Sequence, residues 1–409
     1  IQWASQITSR LLQRNYFKIQ AAQKGRFLFY VSCFEYRSSC LPLPAMNLRV
    51  FAILFFIAVF GRSQEGKPSH SYTFDANAFY GSILLHNPDI SHLITEHPSG
   101  VILGYNRKTF GLEEWQQYYN YPDLGASFIY QDSHNETLGD AYGLYAHFNF
   151  YIFKRNLQFR IGQGLAYATN PYDRETNFRN NAYGSRFLSS TFMMFNFHKE
   201  HLYKNLGLKL GLSIVHYSNA NVKAPNTSTN TIAFNAGLVY SLDGEEMDYI
   251  KREKEKITEP VRYNLVLRGG VNESDNIGHG QYGFFILSGY ADKRLGRRSA
   301  IQLGTDVFFS NFLKELIEFQ SISFPENDID ADTDHKRVGV FLGHELFINK
   351  LSIGTQLGYY VYYPYDFEGK LYNRVSIKRY FGDKVFGVVS LKSHGAAAEA
   401  VEFGIGVRL

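Results

Sequence analysis

The sequence predicts an all-β fold: a single-domain, antiparallel transmembrane β-barrel of about 16 strands (about 14–18). Three observations lead there. Apolar and polar residues alternate with period two over most of the chain, as in Leu351-Ser352-Ile353-Gly354-Thr355-Gln356-Leu357-Gly358-Tyr359. After residue 60 there is no apolar run long enough for a membrane-spanning helix, which needs roughly 18 residues or more. Aromatic residues make up 16% of the chain, with 30 Tyr and 35 Phe, and Gly (35) far outnumbers Pro (11); that mixture suits strands carrying aromatic girdles at two membrane interfaces.

The elements follow in chain order. Met46 opens a segment with the layout of a secretion signal: Asn47-Leu48-Arg49 is its basic start, Val50 to Phe60 its apolar run, and Gly61-Arg62-Ser63 the small-residue site before Gln64. Residues 46–63 are therefore read as a signal peptide and residues 64–409 as an outer-membrane barrel. Residues 1–45 read as an over-extended gene start without structure; the alternative is an amphipathic N-terminal segment. Both cysteines, Cys33 and Cys40, lie in that first stretch, so the exported part has no thiol for a disulfide or a metal. The same stretch holds most of the positive excess. From Met46 onward 36 basic residues face 37 acidic ones, which gives no argument for a nucleic-acid partner.

Strands are expected near 74–86, 100–110, 124–132, 139–153, 157–169, 189–203, 206–218 and 229–242, then near 262–274, 280–293, 299–311, 336–349, 351–363, 371–382, 384–394 and 398–409. With a periplasmic N-terminus, residues 170–188, 219–228 and 312–335 become outer loops. The charged stretch Gly244 to Pro260 falls on the periplasmic side as a solvated run or a short helix. The last strand, Val401 to Leu409, ends on an apolar residue, which is similar to the C-terminal signature of outer-membrane barrels.

One strand carries candidate chemistry. Along Leu206, Leu208, Leu210, Leu212 and Ile214 the apolar face continues into His216 and Ser218, so these two polar side chains point to lipid. Two residues apart on one face, their Cα atoms are about 6.5–7 Å apart, within range of a hydroxyl–imidazole hydrogen bond. On the returning strand Asn230 shares the face of Ile232, Phe234, Ala236, Leu238 and Tyr240, and cross-strand neighbours on that face reach His216. Read from spacing alone, an interfacial polar pair at a strand end is the plainer reading of this pattern.

The wider segment resembles the lipid A 3-O-deacylase (PagL-type) and bacterial acyloxyacyl hydrolase family, in the style of a Bacteroidetes branch. The resemblance rests on His216-Tyr217-Ser218-Asn219-Ala220 with Pro225-Asn226 in the next loop, and on Gly162-Gln163-Gly164-Leu165-Ala166-Tyr167 and Asn180 to Ser185. It covers about residues 80–242. It implies an esterase that removes a 3-hydroxyacyl chain from the lipid A of lipopolysaccharide, with Ser218 as nucleophile and His216 as base, the partners being lipopolysaccharide and outer-membrane lipids. A serine hydroxyl needs such a base, and the base an orienting third group. In the family that group is a Glu twelve residues after the Ser; here Asn230 stands in its place, and Asp173 in the preceding loop is an unassigned alternative. Asn219 and Asn226 read as oxyanion donors or as loop-ordering residues. No metal or cofactor is implied.

The competing expectation is a non-catalytic channel or binding barrel with a degenerate site, in keeping with polar lumen positions such as Gln158, Arg160 and Arg268. A phospholipase or acyltransferase using the same pair is a third. The carboxylates from Asp328 to Asp334 lack the glycine and the downstream Glu of a calcium loop and read as an acidic surface loop.

Overall fold

The computed structural model describes residues 71–242, 248–251 and 257–409. The expected gene-start segment and signal peptide lie outside the described residues, as does part of the charged stretch. What is described of that stretch carries no helix.

Among the described residues sixteen strands form, each within three residues of its expected limits. The first eight are β1 (Tyr72–Ile83), β2 (Ser99–Arg107), β3 (Asp123–Asp132), β4 (Asp140–Ile152), β5 (Leu157–Ala168), β6 (Phe187–Tyr203), β7 (Leu206–Ser218) and β8 (Thr229–Ser241). The second eight are β9 (Arg262–Asn272), β10 (Tyr282–Arg294), β11 (Ser299–Ser310), β12 (Arg337–Ile348), β13 (Leu351–Tyr362), β14 (Leu371–Phe381), β15 (Val385–His394) and β16 (Ala397–Arg408). Helix α1 (Glu114–Tyr118) lies between β2 and β3, and α2 (Asn311–Ser323) follows β11.

They do not close as one barrel. β8 returns to β1, from Thr73 opposite Ser241 to Ile83 opposite Thr231, and β16 returns to β9, from Phe403 opposite Gly269 to Arg408 opposite Asn264. The result is two closed eight-stranded barrels, which corrects the single 16-stranded barrel expected from the sequence. The reason is that alternation fixes which face each residue takes, but not which strand edge closes the cylinder.

Eight strands leave an interior just wide enough for side chains to fill, and both interiors are filled. In the first barrel Asp75 accepts from Arg160 Nη2 at 2.6 Å, Lys209 Nζ at 3.1 Å, Asn106 Nδ2 at 2.8 Å and Asn77 Nδ2 at 2.7 Å. In the second, Arg374 bridges Asp306 and Glu402, each at 2.8 Å. Lys378 meets Glu345 at 2.7 Å, and Arg337 meets Glu399 at 2.6 Å. Buried charges persist when their lone pairs and protons are all engaged, and the Asp75 carboxylate meets that condition with donors on several sides. Gln158, Arg160 and Arg268 do point inward as expected, but as buried filling.

The outer walls are apolar. Leu208, Leu210, Leu212, Phe195, Phe234 and Leu238 on the first barrel, and Leu265, Leu303, Leu342 and Phe403 on the second, are exposed. Among the described residues no helix is long and apolar enough to cross a membrane.

The barrels touch at both ends. At the end where β1 and β9 begin, Tyr119 Oη donates to Phe347 O at 2.8 Å, Asn349 Nδ2 to Glu113 Oε2 at 2.7 Å, and Arg297 pairs with Glu114. These groups line a cleft of about 250 Å³ with Trp115, Arg294 and Arg298. At the opposite end the loop after β7 meets the loop after β9.

Candidate active site

The site is built at the C-terminal end of β7, at the end of the first barrel opposite the start of β1. Val215 and Tyr217 point inward into an apolar cluster with Leu188, Phe192, Tyr145 and Tyr183. That packing fixes the parity of the strand, so His216 and Ser218 face out. The backbone is tied as well: Tyr145 Oη and Ser190 Oγ are 2.8 Å apart, and Ser190 Oγ donates to His216 O at 2.7 Å.

His216 and Asn230 are direct cross-strand partners. Nδ1 of His216 donates to Oδ1 of Asn230 at 2.8 Å. With the proton on Nδ1, the Nε2 lone pair is the basic atom of the ring. Asn230 is held in turn through its strand, since its carbonyl accepts from Leu84 N at 2.8 Å.

Ser218 is where the sequence put it, on the same wall, but its partner differs. The expected hydroxyl–imidazole bond is replaced by one from Ser218 Oγ to Asn226 Oδ1 at 3.1 Å, and Ser218 Oγ accepts from Ala220 N at 2.9 Å. Asn226 Oδ1 also accepts from Asn219 N at 2.9 Å, and Asn219 Nδ2 donates to Lys223 O at 2.6 Å. Asn219 and Asn226 thus order the 219–228 loop around the serine. The turn needs that support, because Ala220 (φ 54°) and Asn221 (φ 61°) are both left-handed, a conformation costly for alanine in particular.

Asp173 is not brought to His216. It caps its own turn, accepting from Thr176 N at 2.8 Å, Thr176 Oγ1 at 2.9 Å and Glu175 N at 3.0 Å. The backbone bond from Thr176, followed by that from Glu175, holds its carboxyl below the usual carboxylate range. Among the described residues no group of three or more His, Cys, Asp or Glu is placed to hold a metal ion.

Two family models match the chain. Lipid A 3-O-deacylase (PagL) matches residues 99–239, and the acyloxyacyl hydrolase C-terminal domain matches residues 261–409. The first falls on the first barrel and the second on the second. The chain belongs to the PagL-type family. It is a lipid A hydrolase by family, and family and barrel fold together point to the outer membrane. No curated protein matches it. Solved structures that match include a mutant Rh. blastica porin and the outer membrane protein Omp33 of Acinetobacter baumannii. Each is 9% identical, with 83% of this chain covered and 100% or 99% of the other, at a TM-score of 0.17. Likeness at that level says nothing further about the chain.

As a PagL-type chain it has two features that the sequence did not disclose. Thr191 stands opposite His216 on β6, and Ser189 opposite Ser218. Gln163 of β5 joins them, accepting from Thr191 Oγ1 at 2.5 Å and donating to Ser189 Oγ at 3.1 Å, so a polar row runs outward from the pair along the lipid-facing wall. The parity of β6 carried the signal, but only its register places Thr191 beside His216. The second feature is His86, whose Nε2 lies 3.1 Å from Thr227 O and 3.2 Å from Ser228 Oγ. It packs against the residues that lead into Asn230, and no spacing pattern marks it.

Proposed function

We propose that this PagL-type barrel removes an ester-linked 3-hydroxyacyl chain from lipid A by Ser/His catalysis in the outer leaflet. The observation that carries the reading is the His216–Asn230 bond on the lipid-facing wall, two residues from Ser218, in the tautomer that leaves Nε2 basic. Rotation of the Ser218 side chain from Asn226 toward His216 brings nucleophile to base.

In the first half-reaction Ser218 Oγ attacks the ester carbonyl while its proton passes to His216 Nε2. The tetrahedral oxyanion collapses, the sugar oxygen leaves with that proton, and an acyl-serine remains. In the second half-reaction Nε2 takes a proton from water, the hydroxide adds to the acyl carbonyl, and the intermediate collapses with Ser218 Oγ leaving as Nε2 returns that proton to it, which releases the 3-hydroxy acid. Asn230 orients the ring throughout but supplies no negative charge for the imidazolium. In a serine protease the corresponding Asp-to-Asn change lowers turnover by about 10⁴, whereas papain-like enzymes work with Asn in this place, so slow turnover is expected. The signal-peptide reading of residues 46–63 stands as part of this proposal, since export is what delivers the site to its substrate.

Mass spectrometry of lipid A incubated with the purified protein tests the reading. The wild type should release a 3-hydroxy acid, and Ser218→Ala and His216→Ala should not. A phospholipase or acyltransferase would give a different fatty acid or a transferred chain. Unchanged lipid A with the folded wild type would end the esterase reading.

A further inference from the structure

We infer that Glu273, on the second barrel, is a positioning residue for the site on the first; this rests on the Ser218/His216 reading above. The 219–228 loop delivers Asn226 to Ser218, and its middle, residues 221–224, lies against the loop after β9. Glu273 N donates to Asn221 O at 3.0 Å, and Ala224 N donates to Glu273 Oε2 at 3.0 Å. Gln281 Nε2 donates to Val222 O at 2.6 Å, and Asn221 Nδ2 to Asp275 Oδ1 at 3.2 Å. Four hydrogen bonds therefore join three residues of the loop, Asn221, Val222 and Ala224, to the other barrel.

The carboxylate is the centre of this arrangement. While Oε2 accepts from Ala224, Oε1 accepts from Gly280 N at 3.1 Å, so one buried side chain ties its own loop and the serine's loop together. Two N–H donors facing two carboxylate oxygens suit a Glu; a Gln would turn an N–H toward one of them. On its other side the loop has no slack. A Cβ on Gly184 would sit 2.5 Å from Lys223 O and 2.6 Å from Ala224 O. The loop is held between the first barrel's own 170–186 segment and Glu273. Its left-handed residues, Ala220, Asn221 and Ser228, make an unsupported loop prone to relax, and relaxation carries Asn226 and Ser218 with it. The second barrel thus acts as the outer jaw of the site.

The test uses full-length protein in detergent micelles containing lipid A. Glu273→Ala should lower kcat about tenfold or more with KM within about twofold, because the clamp places the nucleophile without touching the acyl chain. Glu273→Gln should fall between the two, and Gln281→Ala, which removes only the Val222 bond, should cost less than Glu273→Ala. Retained heat-dependent gel mobility identifies variants whose barrels are folded. A readout independent of turnover is tryptic cleavage after the exposed Lys223, slow in the wild type and at least about tenfold faster in Glu273→Ala. An active wild type matched by Glu273→Ala in kcat would overturn the inference, whether or not cleavage rises. A wild type that is inactive while Glu273→Ala still exposes Lys223 would instead remove the catalytic reading of the pair and leave the clamp in place.

Discussion

His216 on β7 and Asn230 on β8 face each other across the barrel wall, with Nδ1 and Oδ1 2.8 Å apart. The bond sets the tautomer of the ring, and in the proposed mechanism its neutrality would limit the rate. Asn230→Asp keeps the geometry and adds the charge, so it should raise kcat by at least about tenfold, while Asn230→Ala should lower it by about tenfold through loss of orientation. Initial rates of acyl release check both. A rate for Asn230→Asp at or below that of the wild type would mean that the imidazolium is stabilised by something other than this position.

Asn226 supports two donors at once, the hydroxyl of Ser218 and the amide of Asn219. Asn226→Ala leaves both without an acceptor in a half-buried place, which weakens the closed arrangement of the loop, though not the barrel's strands, by about 1–3 kcal/mol. Turnover should drop by one to two orders of magnitude, at about 1.4 kcal/mol per tenfold, with the barrel's unfolding in urea almost unchanged. A parallel loss of barrel stability would assign Asn226 a structural role only.

Asp173 gives the matching negative expectation. Its carboxylate is consumed by Thr176 and Glu175, so Asp173→Ala should leave deacylation within about twofold of wild type. Because its pKa is depressed in the folded turn, the support it gives the 173–177 turn is present above the ordinary carboxylate range and fades as pH falls through its lowered value. Amide exchange of residues 175–177 at neutral and acidic pH would follow that loss.

The filled interiors make a prediction about permeation. Asp75, Arg160 and Lys209 block the first barrel and Arg374, Asp306 and Glu402 the second, so planar bilayers containing the protein should show no steady ion conductance. Stable open-channel steps would revive the channel reading.

The same cluster bears on stability. Asp75→Ala leaves Arg160 and Lys209 without their shared counter-charge in a site with almost no solvent, and removal of one partner of a buried pair costs about 3–5 kcal/mol. A lower urea midpoint measured by tryptophan-independent gel mobility should accompany it. Asp75→Asn, which retains hydrogen bonding, should cost less.

Strand positions were legible because period two survives in a membrane wall: all sixteen segments formed near their expected limits. Parity alone also put His216, Ser218 and Asn230 on the outside. Closure was not legible, since β8 and β9 carry the same kind of edge and nothing local tells β8 to pair with β1. The bond from Ser218 to Asn226 was hidden for a related reason: it depends on a loop with left-handed residues at Ala220 and Asn221, neither of which is glycine. Glu273 lay further out of reach, fifty-five residues beyond Ser218 and on the other barrel, where only tertiary structure brings it to Ala224.

Because both interiors are filled, the proposed deacylation would draw its substrate from the plane of the membrane, along the wall that carries Gln163, Thr191 and Ser189. The quantity that saturates such a site is the mole fraction of substrate among its lipid neighbours, not its concentration in the surrounding water. Diluting lipid A with inert detergent at constant bulk amount should therefore slow the reaction, so that the bilayer's own composition acts as the throttle.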